Sequence, residues 1–256
     1  MRFLFKTFGW LLLGAIGFLG YTFGLSQFPR QGPSLGIDQI ADGIATTYVF
    51  MLKTGKCVLV DVGLDPTGRP ILDYLEKRGL RASDVQAIFL THAHTDHIGG
   101  IEAFPGVSVF ALRQEVSLLE KKSEDRNPLR QIVGQAHTPL VHVTFPLEDQ
   151  QTVQIEDLSI TAYSLPGHTP GSAVYLAQGV LLMGDTIGIG WGGRVRPPVW
   201  LFSTDMREAR ASMGIFLDHI RPRMGEVRVI AASHSGSIDA VRGFAALERY
   251  VSNGGW

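Results

Sequence analysis

The sequence has a single cysteine, almost no net charge and none of the short motifs that mark serine hydrolases. Cys57 is the only cysteine among 256 residues, so an internal disulfide is excluded. The formal net charge of −1 provides no basic footprint of the kind that nucleic-acid-processing enzymes use, so no nucleic-acid partner is expected. Ser-x-x-Lys and Gly-x-Ser-x-Gly arrangements are not evident. Any hydrolytic chemistry therefore needs a nucleophile other than an activated serine or cysteine.

An uncharged apolar stretch lies near the start of the chain. After Arg2 and Lys6 no charged residue occurs from position 7 to position 29, which is long enough to span a bilayer. We interpret residues 1–28 as a membrane anchor, with a cleaved signal segment as the alternative, because the small residues around Ser26 suit signal peptidase. The leading basic residues favour a domain outside the cytosol, on the periplasmic or extracellular side, and cleavage would make it secreted.

The rest of the chain predicts one α/β domain. Residues 29–36 are rich in proline, glycine and serine and indicate a linker, followed by a domain over 37–256. Strands are predicted at 58–60, 85–90, 107–111, 153–162, 173–176 and 180–183, and helices at 70–78, 114–122 and 204–220, the last with an N-cap at Ser203 or Thr204. Segments 127–146 and 187–204 are predicted to be functional loops. This alternation favours two packed sheets with helices outside.

The most informative motif is Thr-His-Ala-His-Thr-Asp-His-Ile-Gly-Gly at positions 91–100, directly after the predicted strand 85–90. Three imidazoles and a carboxylate suit zinc, and iron or manganese can also accept them. The spacing supports two metal ions rather than one. On a tight turn His92 and His94 can point to one side, while Asp96 and His97 reach a second position nearby.

Three further candidates each follow a strand-like run. His168 lies in Ser-Leu-Pro-Gly-His-Thr-Pro-Gly-Ser, a rigid loop that can aim an imidazole from a strand end. Asp185 follows the apolar Leu-Leu-Met-Gly, where a carboxylate needs a cation or hydrogen-bond donors. His234 follows another apolar run, and the neighbouring Ser233 and Gly236 allow a sharp turn.

These motifs together resemble the metallo-beta-lactamase superfamily of metal-dependent hydrolases. The resemblance rests on His-x-His-x-Asp-His, Pro-Gly-His-Thr-Pro-Gly-Ser, Gly-Asp and the late Ser-His-Ser-Gly, and it covers most of the chain from about residue 40. Val-Leu-Val-Asp-Val-Gly at 58–63 is also similar to the family's Asp-Thr-Gly segment. The resemblance implies the specific αββα sandwich of this family, here with an N-terminal transmembrane or signal segment.

The resemblance also implies a role for each candidate ligand. One metal ion would be held by His92, His94 and His168. The other would be held by Asp96, His97 and His234, with Asp185 bridging the two. Asp61 would orient one of these ligands through a hydrogen bond.

This arrangement predicts a dinuclear metal-dependent hydrolase with two Zn²⁺ per chain. Two cations that share a bridging water lower its pKa until hydroxide is available near neutral pH. The cations would also polarise the attacked oxygen, and Asp96 is the predicted catalytic residue that helps to pass a proton to the leaving group. The expected substrate is a small ester, thioester or lactone. True metallo-beta-lactamases usually place a residue other than aspartate at the position of Asp185, which disfavours antibiotic hydrolysis.

Alternatives stay open for both reaction and substrate contacts. The chain could be a mononuclear iron enzyme similar to persulfide dioxygenases, a β-lactam hydrolase or a phosphodiester hydrolase. Candidate substrate contacts in the two predicted loops are Trp191, Arg194, Arg196, Trp200 and His137. The loop 187–204 could instead rest on lipid headgroups. The expected partners are therefore a small-molecule substrate and, through the N-terminal segment, a lipid bilayer.

Overall fold

The computed structural model describes residues 32–127 and 138–252 and has two six-stranded sheets in that part of the chain. The first sheet contains, in spatial order, β1 (Asp38–Asp42), β2 (Ala45–Met51), β3 (Cys57–Val60), β4 (Val85–Phe89), β5 (Ser108–Leu112) and β6 (Phe145–Leu147). The second contains β14 (Gly236–Asp239), β13 (Val229–Ala232), β10 (Val180–Leu182), β9 (Ala173–Ala177), β8 (Leu158–Ser164) and β7 (Thr152–Ile155). A small third sheet pairs β11 (Gly188–Gly190) with β12 (Arg194–Arg196).

Helices occupy the connections between strands. The described α-helices are α1 (Arg69–Lys77), α2 (Thr95–Ile98), α3 (Val116–Leu119), α4 (Met206–Ile220) and α5 (Ala240–Ser252). Short 3₁₀ turns include Arg113–Glu115, Trp191–Gly193 and Trp200–Phe202. No helix in the described ranges is long and apolar enough to cross a membrane. The predicted anchor, residues 1–28, lies outside those ranges, as does part of the predicted linker.

The two large sheets pack face to face through a continuous aromatic and aliphatic core. Phe89 of β4 stacks on Phe110 of β5 with ring centroids 4.6 Å apart. It also meets Tyr175 of β9, in the opposite sheet, edge-on at 5.5 Å. All three side chains are buried, and burying one such ring stabilises the fold by about 2–3 kcal/mol.

Each sheet has a second apolar face that is covered by helices. Ile71 and Leu75 of α1 are fully buried against the outer face of the first sheet. Phe216 of α4 and Leu247 of α5 are fully buried against the outer face of the second sheet. The layers therefore run helix, sheet, sheet, helix, which confirms the αββα sandwich that the resemblance implies.

The strand directions bring the ends of several strands to one edge. β3, β4 and β5 are mutually parallel, and in the other sheet β10 is parallel to β13. β8 shares the direction of β10 because both are antiparallel to β9. Parallel strands present their carboxyl ends at the same edge, which is where binding sites form in such sheets. Each predicted ligand follows one of these strands.

Two buried tyrosines cross between the sheets at this edge. The hydroxyl of Tyr48 on β2 donates to the carbonyl oxygen of Ala232 at 3.2 Å. Ala232 is the last residue of β13, two positions before His234. Tyr175 on β9 donates to the carbonyl oxygen of Leu90 at 2.7 Å, at the end of β4. These bonds fix the two strand ends relative to each other.

Several predicted elements differ in detail from the structure. The predicted strand 153–162 is wrong, because it is a hairpin of β7 and β8 that turns at Glu156, whose φ is 52°. The predicted helix 114–122 is a 3₁₀ turn followed by the short α3. The segment 187–204 is not a loop throughout, since it contains the β11–β12 hairpin. The strands β1 and β2 were absent from the prediction, although β2 is almost entirely buried.

The N-cap of α4 lies one or two residues after the predicted positions, Ser203 or Thr204. Asp205 caps the helix, since its carboxylate accepts hydrogen bonds from the backbone N–H groups of Arg207 and Glu208 at 2.8 and 3.0 Å. The hydroxyl of Ser203 is instead bonded to the carbonyl oxygen of Val199. The same hydroxyl also lies within hydrogen-bond distance of His168, a residue of the site described below.

Candidate metal centre

Three buried histidines converge at the edge between the sheets. The Nε2 atom of His168 lies 3.2 Å from Nε2 of His92 and 3.0 Å from Nδ1 of His94. His92 and His94 lie on the loop after β4, whereas His168 lies on the loop after β8. One atom from each ring could therefore bind a common metal ion.

A second group lies beside the first. The Nε2 atom of His97 lies 3.4 Å from Nε2 of His234, and Oδ2 of Asp96 lies 3.3 Å from the same His234 atom. Asp96 and His97 come from the short α2, while His234 comes from the loop after β13. This group could hold a second ion with two nitrogens and one oxygen.

Asp185 lies between the two groups. Its Oδ1 lies 3.2 Å from Nε2 of His97, and its Oδ2 lies 2.9 Å from Nε2 of His234 and 3.6 Å from Nε2 of His168. The carboxylate therefore contacts a member of each group, in the position where a bridging ligand would lie. All seven predicted ligands are brought together within one cluster.

The second ring nitrogen of each histidine is held by another group. The contacts are His92 Nδ1 with Thr91 Oγ1 at 3.0 Å, His94 Nε2 with Asp125 Oδ2 at 3.1 Å, His97 Nδ1 with Asp61 Oδ2 at 2.8 Å, His168 Nδ1 with Ser203 Oγ at 3.1 Å and His234 Nδ1 with the Ile44 carbonyl oxygen at 2.7 Å. A ring nitrogen that donates to such a partner leaves the other nitrogen as a lone pair. Lone pairs placed in this way face one another and the Asp96 and Asp185 carboxylates, and a metal ion among them would relieve that repulsion. The donor set therefore fits a metal centre.

Burial sets the protonation states within the cluster. Burial, assisted by the neighbouring imidazoles, holds the pKa of His92 well below its usual value and lowers the pKa of His168 to about 3. Both rings are therefore neutral, the form that binds metals. Burial acts in the same direction on His97 and His234, but the nearby carboxylates, Asp185 first among them and Asp96 with it, together outweigh burial and raise the pKa of both rings. The carboxylate-rich half of the cluster thus favours positive charge.

Asp61 occupies a strained backbone position at the end of β3. Its φ is 59°, which a non-glycine residue rarely adopts. The carboxylate accepts hydrogen bonds from the backbone N–H and the hydroxyl of Thr91 at 2.8 Å each, and it bonds to His97. The resemblance implies that Asp61 orients a ligand through a hydrogen bond, and the contact with His97 is such a bond.

Sequence reasoning missed Glu115, which joins two ligand-bearing loops. It is 1% exposed and accepts hydrogen bonds from the Ala93 N–H at 2.7 Å, the Gly171 N–H at 2.8 Å and the Thr169 hydroxyl at 2.9 Å. Burial raises the pKa of Glu115 to about 7. A Cβ on Gly171 would lie 2.2 Å from the Glu115 nitrogen, so the close approach requires glycine there.

Sequence reasoning also missed Asp125 as a partner of His94. Asp125 is 7% exposed and lies between the predicted helix 114–122 and the predicted loop 127–146, where an aspartate carries no distinguishing pattern in the sequence. Only burial distinguishes this carboxylate from exposed ones, and burial cannot be read from the sequence.

The structure describes only some of the predicted substrate-contact residues. Arg194 and Arg196 lie on β12 and line a groove shared with α5. Trp200 is 47% exposed in its 3₁₀ turn. The side chain of Trp191 and all of His137 lie outside what the structure describes. Substrate contact by these residues stays a prediction.

Comparison with known proteins gives relatives that are similar to this chain in sequence. A hydroxyacylglutathione hydrolase 2 from Vibrio vulnificus is 29% identical over 154 residues, which are 58% of this chain and 50% of the relative. The match thus spans about half the length of that protein. A hydroxyacylglutathione hydrolase from Gloeobacter violaceus is 32% identical over 214 residues, covering 81% of this chain and 71% of the relative.

Solved structures and a family model agree with these relatives. A metallo-beta-lactamase family protein from Thermus thermophilus superposes with a TM-score of 0.61 at 23% identity, covering 86% of this chain and 79% of that one. This likeness shows the shared fold. A family model for the metallo-beta-lactamase superfamily matches residues 41–239, which include every residue of the cluster. The chain belongs to the metallo-beta-lactamase superfamily.

Proposed function

We propose that this chain is a metal-dependent hydrolase that holds two metal ions and cleaves a small ester, thioester or lactone. The observation that carries the proposal is Asp185, whose two carboxylate oxygens contact histidines of both groups. A carboxylate in this position could serve an ion in each group, which is what a two-ion site requires.

The residues divide into two sets that would hold the ions. His92, His94 and His168 form one set, and Asp96, His97 and His234 form the other. Zinc ions bound there would polarise a substrate carbonyl and lower the pKa of a water molecule. Thr91, Asp125, Ser203 and the other outer partners would keep each ring in one orientation.

Asp96 is the group best placed to move a proton. Its side chain is 20% exposed, compared with 14% for Asp185, and 1% for Asp61. A carboxylate at the solvent-facing side of the cluster can accept a proton from the attacking water and deliver it to the leaving group. The fully buried Asp61 lacks access to a substrate, and Asp185 would be occupied as the ligand between the two groups.

The relatives support a thioester or related ester as the substrate. Two of them are named as hydroxyacylglutathione hydrolases, so their substrates are acyl thioesters of glutathione. The aligned segment covers half of the Vibrio protein, so recognition of the glutathione portion does not transfer to this chain. We therefore propose the acyl-transfer chemistry and leave the carrier group open.

The test combines metal content with turnover by matched variants. The purified protein should contain close to two zinc ions per chain and hydrolyse one member of a panel of thioesters, lactones, phosphodiesters and β-lactams. D96A should lower kcat by about a hundredfold or more, because it removes a proton acceptor and a metal ligand together. E102A, which removes an exposed carboxylate from the neighbouring 3₁₀ turn, should behave as wild type. Unchanged turnover by D96A would refute the proposal.

A second candidate function is a mononuclear iron dioxygenase. His92, His97 and Asp185 form a set of two histidines and one carboxylate, whose ligand atoms all lie within 4.8 Å of one another. Such a set is the usual ligand group of non-haem iron oxygenases. About one iron per chain, with oxygen consumption in the presence of a persulfide, would favour this function over hydrolysis.

We also propose that the domain acts outside the cytosol, held at the membrane by residues 1–28 or secreted after their removal. The support is the absence of charge from position 7 to position 29, behind two basic residues. Fractionation of cells that express the full chain tests this, because recovery of all the protein in the cytosol would contradict it.

A further inference from the structure

A groove lined by four arginines lies between the β11–β12 hairpin and α5. Its volume is about 690 Å³, and none of the seven clustered ligands lines it. Arg194 and Arg196 come from the hairpin, and Arg242 and Arg249 come from the helix. The groove is therefore a separate feature from the candidate metal centre.

The periodicity of each element directs the arginines into the groove. Side chains two positions apart on a strand project from the same side, as Arg194 and Arg196 do on β12. Arg242 and Arg249 are seven positions apart on α5, so they lie on one face of the helix two turns apart. Ala245 and Ala246 line the groove between them, and these small side chains leave room for a ligand.

The positive charge in the groove is poorly compensated. Arg242 lies 3.8 Å from the Asp239 carboxylate and donates to the Gly192 carbonyl oxygen. Within residues 32–127 and 138–252, Arg194, Arg196 and Arg249 form no ion pair with a carboxylate. The Nε atom of Arg196 is buried and has no hydrogen-bond partner in that part of the chain. A buried guanidinium N–H without an acceptor is costly, so the groove favours an anion.

We propose that this groove binds phosphoryl oxyanions, as a free phosphate ester or as the headgroup of an anionic phospholipid. Guanidinium groups donate paired hydrogen bonds to phosphate oxygens. A phosphate monoester has three terminal oxygens and up to two charges, and an anionic membrane presents several singly charged headgroups side by side. Either source therefore matches several arginines better than a single carboxylate does. Val241, which is 81% exposed and also lines the groove, offers apolar contact to the rest of such a ligand.

The first experiment measures binding of glycerol 3-phosphate to the full chain by calorimetry, at two salt concentrations. Wild type should bind, and more weakly at high salt. The R194Q/R249Q variant removes one arginine from each wall of the groove, and its affinity should be lower by about tenfold or more. The R69Q/R81Q variant removes the same charge from exposed arginines elsewhere and should bind as wild type. Binding at the metal cluster would persist in the groove variant and would overturn the proposal.

A second experiment distinguishes the two sources of phosphate. Full chains are mixed with phosphatidylglycerol or phosphatidylcholine vesicles and sedimented. Because the N-terminal segment is the same in every variant, a loss of phosphatidylglycerol binding in R194Q/R249Q alone assigns the groove to lipid headgroups. Binding of glycerol 3-phosphate without that loss assigns it to soluble phosphate esters. Failure of both ligands, or binding of an acidic peptide in their place, would overturn the proposal.

Discussion

At the scale of single residues, Glu115 controls the distance between two ligand-bearing loops. Its Oε1 accepts from the Ala93 N–H beside His92, and its Oε2 accepts from Gly171 and Thr169 beside His168. Both carboxylate oxygens are used as acceptors, so an amide in this position must turn an NH₂ group towards a donor. The residue therefore positions the histidines without touching them.

The raised pKa of Glu115 predicts a pH dependence of stability. Its pKa of about 7 exceeds the ordinary glutamate value of 4.5, so the folded state binds this proton more tightly than the unfolded chain does. The stabilisation is complete below pH 4.5 and is lost as the pH rises through 7. In the metal-free protein, the free energy of unfolding of wild type should fall relative to that of E115Q by up to about 3 kcal/mol across this interval. Urea unfolding of both proteins at pH 5 and pH 7.5 measures the difference, and parallel pH profiles would contradict it.

At the scale of elements, the tyrosines that cross between the sheets hold two ligand-bearing strand ends. Y175F would leave the Leu90 carbonyl oxygen buried without its donor and should destabilise the protein by about 1–3 kcal/mol. Y74F removes a hydroxyl that is bonded to Asp38 near the surface, where water can replace it, so its effect should be much smaller. Chemical denaturation measures the free energy of unfolding of both variants. An equal decrease in the two would contradict a larger contribution from the bond that crosses between the sheets.

Some of the elements that carry the candidate site could be predicted from the sequence, and others could not. The loop after β4 was predictable because a long apolar run precedes a dense set of ligand residues, and the loops with His168 and Asp185 follow the same pattern. The β11–β12 hairpin could not be predicted, because each of its strands has only three residues and the strands are rich in glycine and arginine. Glu115 resembles an exposed helix residue in sequence, and only the packing of distant loops buries it.

At the scale of the whole molecule, each candidate metal group draws on both sheets. His92 and His94 belong to the first sheet's loops and His168 to the second's, and the other group is divided in the same way. Bound metal should therefore stabilise the packing of the sheets. At a metal concentration about a thousandfold above Kd the gain is about 4 kcal/mol, so removal by a chelator should lower Tm by roughly 10 °C.

The matched control for metal removal is a chain that cannot hold either ion. The H97A/H168A variant lacks one ligand of each group, so the chelator should leave its Tm unchanged. If wild type and this variant respond alike to the chelator, the stabilisation does not come from the cluster.

The division of each group between the sheets also sets when the site can form during synthesis. Residues 92–97 leave the ribosome long before positions 168, 185 and 234, and none of the three-residue groups is complete without one of those later positions. The early motif alone offers too few ligands to hold an ion in this geometry. We therefore expect metal acquisition to be a late step of biogenesis: the first group needs a chain translated past His168, and the second needs one translated past His234.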